Sequence, residues 1–252
     1  DLKLSGGSDV IELEKQSKKV KLQNIEFTLY ADKNALIISP FTADIWKGRA
    51  KVNFKFDLSD NHYIFDIIAK EIDLVLLRKA LALKNKKLSG KLSFKVQGEN
   101  RQPKDINFIK ATGAVTVGDG NIWEMSLLKG LGEFLFIPDF ENIIFNRGFT
   151  EFTIKNETIF ISNLQLESPQ MSLAGEGNVT FAGNLDFVLY PDFNPNLISA
   201  SEGLRKIFTN VVGKTGLTIE IKGTINKPRY KFKSILLSPI NSIKDLFKRL
   251  LQ

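Results

Sequence analysis

Cysteine is absent from this sequence, and histidine occurs once, at His62. Without thiols there is no disulfide framework, no thiolate metal site and no cysteine nucleophile, and a His-based catalytic constellation has only one available member. Polar aromatics are scarce as well, with 4 Tyr and 2 Trp against 20 Phe. Phenylalanine has no hydrogen-bonding handle, so this bias favours a dry apolar surface over a polar binding face. No stretch approaches the ~20 consecutive apolar residues that cross a bilayer as a helix. The opening residues, DLKLSGGSDVIELEKQ, lack the charged-then-apolar plan of a signal peptide and do not begin with Met. The expectation is therefore a piece of a longer product, with any anchor or targeting segment left off.

Nucleotide and metal signatures are missing too. Gly113, Gly118 and Gly120 do not have the spacing of G-x-G-x-x-G and sit between strand-like runs, without the helix N-terminus that would hold a pyrophosphate. No P-loop and no helical His pair occurs, so no cofactor and no metal is expected. The carboxylate pairs Asp57 with Asp60 and Glu176 with Asp186 fall on alternating segments where acids mark the wet face, and no catalytic residue is assigned. His62 follows Asp60-Asn61 and is expected to be a surface turn residue.

What the chain does contain is alternation. Over 111–192 apolar and polar residues alternate with a period of two, interrupted by turn formers at Asp119-Gly120, Asn156-Glu157, Ser168-Pro169 and Ala182-Gly183-Asn184. The same pattern fills 19–58, with breaks expected at Asp32-Lys33-Asn34, Pro40 and Lys47-Gly48. There Val52, Phe54 and Phe56 share one face while Lys51, Asn53 and Lys55 share the other. Near the N-terminus one frayed strand is expected around Val10, followed by a charged stretch.

Helical spacing appears in four places. Asp73 is placed to cap a short helix over 74–83, and Met125, Leu128, Leu131 and Leu135 line one face of a segment at 123–136. Pro195 opens a third helix with a stripe of Leu204, Ile207, Phe208 and Val211, closed by Gly213. The last segment, 238–252, is a basic amphipathic helix with Ile243 and Phe247 on one side and Lys244, Lys248 and Arg249 around the other. It serves either to cap the sheet or to lie on a membrane surface. A dozen or more strands with few helices and no βαβ rhythm give a mainly β, antiparallel fold. At 252 residues and 43% hydrophobic content it fits one domain, read as a first half at 1–110, a second half at 111–237 and the terminal helix.

The net charge of +7 favours anionic partners. Its lysine-rich stretches, KQSKKVK and KNKKLSGK, have little aromatic interleaving and belong to no nucleic-acid fold, so nucleic acid is not expected. The phenylalanine faces carry two readings. Val52, Phe54 and Phe56, Phe152 and Ile154, and Val179, Phe181 and Phe187 either pack against a second sheet or stay open to acyl chains.

The order of these elements resembles the AsmA-like family. The resemblance rests on LQNIEFTLYADKNALIISPFTADIWKGRAKVNFKFDL with its proline-to-glycine segment at 40–48, and on Ile72-Asp73-Leu74 leading into a short helix. It continues through LSGKLSF, TGAVTVGDGNIWEMSLLKGL, FTEFTIKNETIFISNLQLESPQMSLAGEGNVTFAGNLDFVL and IKGTINKPRYKF. The resemblance implies a twisted antiparallel sheet forming an open groove or half-barrel, β-taco-like, with a few short capping helices. It also implies display in the periplasm from an N-terminal inner-membrane helix that this chain lacks. Larger relatives, the TamB-like and bridge-like lipid-transfer proteins, are thought to pass phospholipid along such grooves. The implied role is a non-enzymatic module that handles phospholipid or another envelope lipid between inner and outer membrane. The alternative is a structural or assembly factor for outer-membrane biogenesis, acting through contacts with envelope proteins.

Overall fold

The computed structural model describes residues 2–15, 18–83, 88–121, 126–135, 137, 143–207 and 217–233. Thirteen strands form one sheet whose spatial order is the chain order, each strand antiparallel to the next. They are β1 (Leu2–Lys15), β2 (Lys18–Ala31), β3 (Ala35–Ile45), β4 (Gly48–Asp57), β5 (His62–Asp73), β6 (Ser89–Asn100) and β7 (Lys110–Asn121), then β8 (Arg147–Lys155), β9 (Thr158–Glu167), β10 (Met171–Thr180), β11 (Asn184–Phe193), β12 (Ile219–Thr224) and β13 (Lys227–Phe232). The helices are α1 (Leu74–Ala80), α2 (Ser126–Phe134), α3 (Pro195–Ala200) and α4 (Glu202–Ile207). The sheet is not closed, because β1 and β13 each pair on one side only.

A pure meander sorts its connections onto two edges. Those after β2, β4, β6, β8, β10 and β12 lie on one edge and contain no α-helix, while α1 to α4 all belong to the other. Turn chemistry explains the first set. Asn156 and Glu157 both take left-handed φ values, 50° and 56°, the geometry of a two-residue hairpin that follows strand twist. The Asp32 carboxylate accepts from the amides of Asn34 and Ala35, and these hydrogen bonds hold its pKa below the usual carboxylate value. On the helix edge, Asp73 caps α1 as its position in sequence indicates, accepting from the amides of Val75 and Leu76 at 2.9 and 3.1 Å. Burial raises its pKa, but the amide bonds and Lys47 Nζ at 3.6 Å prevail, and the net shift is downward.

Several expectations change. The N-terminal region is a full hairpin, with β1 beginning at Leu2 and the lysine-rich stretch divided between the end of β1 and the start of β2. Pro40 does not divide a strand. It lies inside β3, where the register with both β2 and β4 shifts, so a bulge absorbs its missing donor. Asp119-Gly120 is not a reversal either, since β7 runs on to Asn121 and pairs irregularly with β6 at Gly90. Among the described residues the helix opened by Pro195 is two short helices separated by Ser201, whose Oγ accepts from the Leu204 amide, while Phe208, Val211 and Gly213 lie outside the described residues. His62 is a buried residue of β5 rather than a surface turn residue, with Nε2 3.1 Å from Glu99 Oε2. Its partner comes from β6, far along the chain, so the local sequence gave no sign of it.

The main core sits at one end of the sheet. Leu131 and Leu135 of the α2 region, Ile143, Phe145 and Leu204 close over Leu173, Phe187, Leu189, Ile219 and Ile221 of β10 to β12. A smaller buried group, Ala43, Ala69, Ile72 and Leu74, lies at the helix edge beside α1. That helix touches β2 as well as its neighbours β5 and β6.

Candidate apolar face

Register converts local alternation into a continuous surface. One transverse row reads Leu4, Leu29, Ile38, Phe54, Phe65, Gly98, Ala111, Ile154, Ile159, Val179, Leu185, Gly223 and Pro228, each residue paired with the next. It crosses all thirteen strands without one polar side chain. A second row on the same face passes through Phe41, Val52, Ile67, Val96, Gly113, Phe152, Ile161, Gly177, Phe187, Ile221 and Tyr230. On the opposite face the corresponding row is Asn53, Asp66, Gln97, Thr112, Thr153, Phe160, Asn178, Asp186, Lys222 and Arg229. Its one large apolar member, Phe160, lies beneath the Lys155 ammonium, 5.1 Å from the ring centroid.

Glycines let the rings on the apolar face lie down. A β-carbon at Gly113 would stand 2.6 Å from Phe152 Cζ, and one at Gly98 2.7 Å from Phe65 Cζ. Each ring thus covers the bare backbone of the neighbouring strand, which smooths the surface and shields the hydrogen-bond ladder. Phe54, Tyr63 and Phe65 continue this aromatic floor, with centroid separations of 5.8 and 6.2 Å.

Cover differs along the face. At the β11 to β13 end Phe187 and Ile221 are 6% and 0% exposed. Val52, Phe54, Phe56, Phe152 and Ile154 are only half-buried, and Leu4 near the β1 edge is 48% exposed. All described strands belong to one sheet, so no second sheet among the described residues packs on these side chains. The sequence-derived candidates therefore divide. The five just named lie on the half-buried part, Val179 packs beside the core and Phe187 lies within it. Phe181 falls one residue past β10, in the turn. Ile243, Phe247, Lys244, Lys248 and Arg249 lie outside the described residues.

Sequence reading missed Ile38, Phe65, Ile67, Phe94 and Val96 as members of this face. In β5 the run Ile64, Phe65, Ile67, Ile68 puts apolar residues on both faces, so alternation alone is ambiguous. The cross-strand partners Phe54 and Val96 resolve it.

Asp57 accepts from Ser59 Oγ and N and lies 3.4 Å from Lys55, and the Ser59 side-chain and backbone bonds lower its pKa. A depression of about 770 Å³ is lined by Asp66, Gln97, Lys110 and Lys155 together with Ile64 and Ile154. Among the described residues no group of three or more His, Asp or Glu could hold a metal ion, and no helix is long and apolar enough to cross a membrane.

At the covered end Tyr230 stacks on Phe134, with centroids 5.7 Å apart, and a β-carbon at Gly130 of α2 would stand 2.6 Å from its hydroxyl. Burial, reinforced by Glu133, pushes the phenol from 10.0 up to about 12. A folded pKa above the unfolded one means the contribution is complete below pH 10 and disappears as pH rises through about 12. Denaturation followed against pH is expected to show this alkaline limb, and Tyr230→Phe is expected to remove it.

No family model, no curated protein and no solved structure matches the chain.

Proposed function

We propose that this protein is a non-enzymatic lipid-handling module whose uncovered apolar face, from β1 to about β9, receives acyl chains. The observation that carries this reading is the pair of unbroken apolar rows, which among the described residues are covered most fully at the β10 to β12 end. Contiguous exposed apolar surface beyond a few hundred Å² is uncommon on monomers and marks an interaction site. An acyl chain suits the surface because it is apolar along its whole length and gains about 0.8 kcal/mol for each CH₂ removed from water. The contact of α1 with β2, three strands from β5, is what a sheet curled toward its apolar side produces. Such a curl makes the face a groove, as the AsmA-like resemblance implies, with α2 and α4 closing one end. On this reading the setting is the periplasm, and phospholipid is the ligand.

The test is lipid extraction and mass spectrometry of the folded protein, followed by titration with a fluorescent fatty acid. Wild type is expected to carry phospholipid. Phe54→Asp and Ile154→Asp are expected to weaken acyl-chain binding roughly tenfold or more, because each sets a charge in the chain's path. Phe160→Asp, on the opposite face, is expected to leave it unchanged. A lipid-free wild type that binds no fatty acid would overturn the proposal.

One observation favours a second reading, an assembly factor that pairs strands with an envelope protein. Strand β1 is 14 residues long and open on one side, whereas the other edge, β13, has 6 residues and is blunted by Pro228 between Lys227 and Arg229. A crosslinked envelope protein that depends on β1 and ignores Phe54→Asp would support that reading.

A further inference from the structure

Large apolar side chains also stand exposed on the turn edge of the sheet. Leu58 follows β4, Ile106 and Phe108 lie between β6 and β7, Phe181 follows β10 and Ile225 follows β12. Ile106, at 67%, is the most exposed large apolar residue among those described. Hydrogen bonding holds it out: Asn100, 1% exposed, donates to Asp105 O and accepts from the Gln102 amide, Asp105 accepts from the Asn107 amide, and Ile109 N donates to Ile106 O. Neighbouring turns are tied into one edge by Phe181 N donating to Glu157 O and Ile225 N to Gly183 O.

We infer that this turn edge docks on an anionic lipid bilayer, with Ile106 and Phe108 as the principal inserting side chains. Spacing argues for a bilayer over a protein partner. Successive turns on this edge are two strand spacings apart, about 10 Å, so the apolar tips are separate points and not one patch. Separate tips gain little from a protein surface but each can enter an acyl layer independently, with polar turn residues left at the headgroups. Charge agrees in sign: residues 99–110 carry Arg101, Lys104 and Lys110 against Glu99 and Asp105, with Glu99 lying 3.7 Å from Arg101 and the Asp105 carboxylate engaged by the turn, which leaves Lys104 and Lys110 for the headgroups. Leu36, Phe56 and Tyr63 form the apolar row nearest this edge, so a chain leaving the bilayer there reaches the open face directly. The purpose of docking rests on the lipid-handling reading, although its test does not.

Because the sequence has no cysteine, Phe108→Cys places a single environment-sensitive label without interference. With vesicles of equimolar phosphatidylcholine and phosphatidylglycerol, the label at 108 is expected to shift to the blue and to be quenched by brominated acyl chains. A label at Thr112→Cys, on the polar face, is expected to stay unchanged. Vesicle flotation is measured in an Ile243→Ser/Phe247→Ser background, which substitutes the two apolar membrane-surface candidates of the C-terminal sequence. There Ile106→Ser/Phe108→Ser is expected to weaken flotation roughly tenfold or more while fatty-acid binding persists. An unmoved label at 108, or flotation unaffected by the double substitution, overturns the docking edge. Loss of fatty-acid binding with an intact label shift would instead count against the lipid-binding face alone.

Discussion

Phe145→Ala is expected to destabilise the protein by about 3–5 kcal/mol, the range for truncating a fully buried aromatic side chain. Phe145 is 0% exposed and belongs to the cluster shared by Leu131, Leu189, Leu204 and Ile219. It is held from both sides, by the sheet and by the segments above it, so the vacated space cannot collapse cheaply. Phe54→Ala, at a half-buried position, is expected to cost less, about 1–2 kcal/mol, since the ring is only partly removed from solvent. Chemical denaturation checks both, as midpoint shifts at unchanged slope. Equal costs at the two positions would show that the face bearing Phe54 is covered, and the lipid-binding proposal would lose its basis.

Gly90→Val is expected to be comparably damaging. Gly90 has φ +115°, and a β-carbon there would stand 2.5 Å from Gly120 Cα and 2.7 Å from Gly118 O. Both obstacles are backbone of the adjacent strand, which cannot swing aside as a side chain can. Strain at this φ and forced overpacking each contribute about 1–3 kcal/mol, so a loss of about 3 kcal/mol or more is expected. Gly118→Ala is the internal control: its β-carbon would meet nothing within 4 Å, and a change within about 1 kcal/mol is expected. Thermal or denaturant unfolding of the pair separates the effects. A Gly90→Val protein as stable as wild type would mean that β6 and β7 do not approach so closely at this point.

These glycines also show where the sequence was readable. Gly118 and Gly120 lie inside β7, and the reversal expected at Asp119-Gly120 does not occur, because turn residues serve bulges as well as hairpins. By contrast, Asn156-Glu157 and Asp73 act as expected, since a tight hairpin and a helix cap are each decided within a few residues.

The sequence by itself determined the succession of antiparallel strands, most of their boundaries and which side chains of β4 share an apolar face, because period-two alternation and turn chemistry are local properties. The tertiary structure decided how those faces join and where they are covered. Phe54 and Phe187 have similar strand contexts, yet one is half-buried on an open face and the other sits beneath residues from the α2 region, Phe145 and Leu204. Register across thirteen strands and the placement of those distant segments separate the two, and neither is encoded in the periodicity of any single strand.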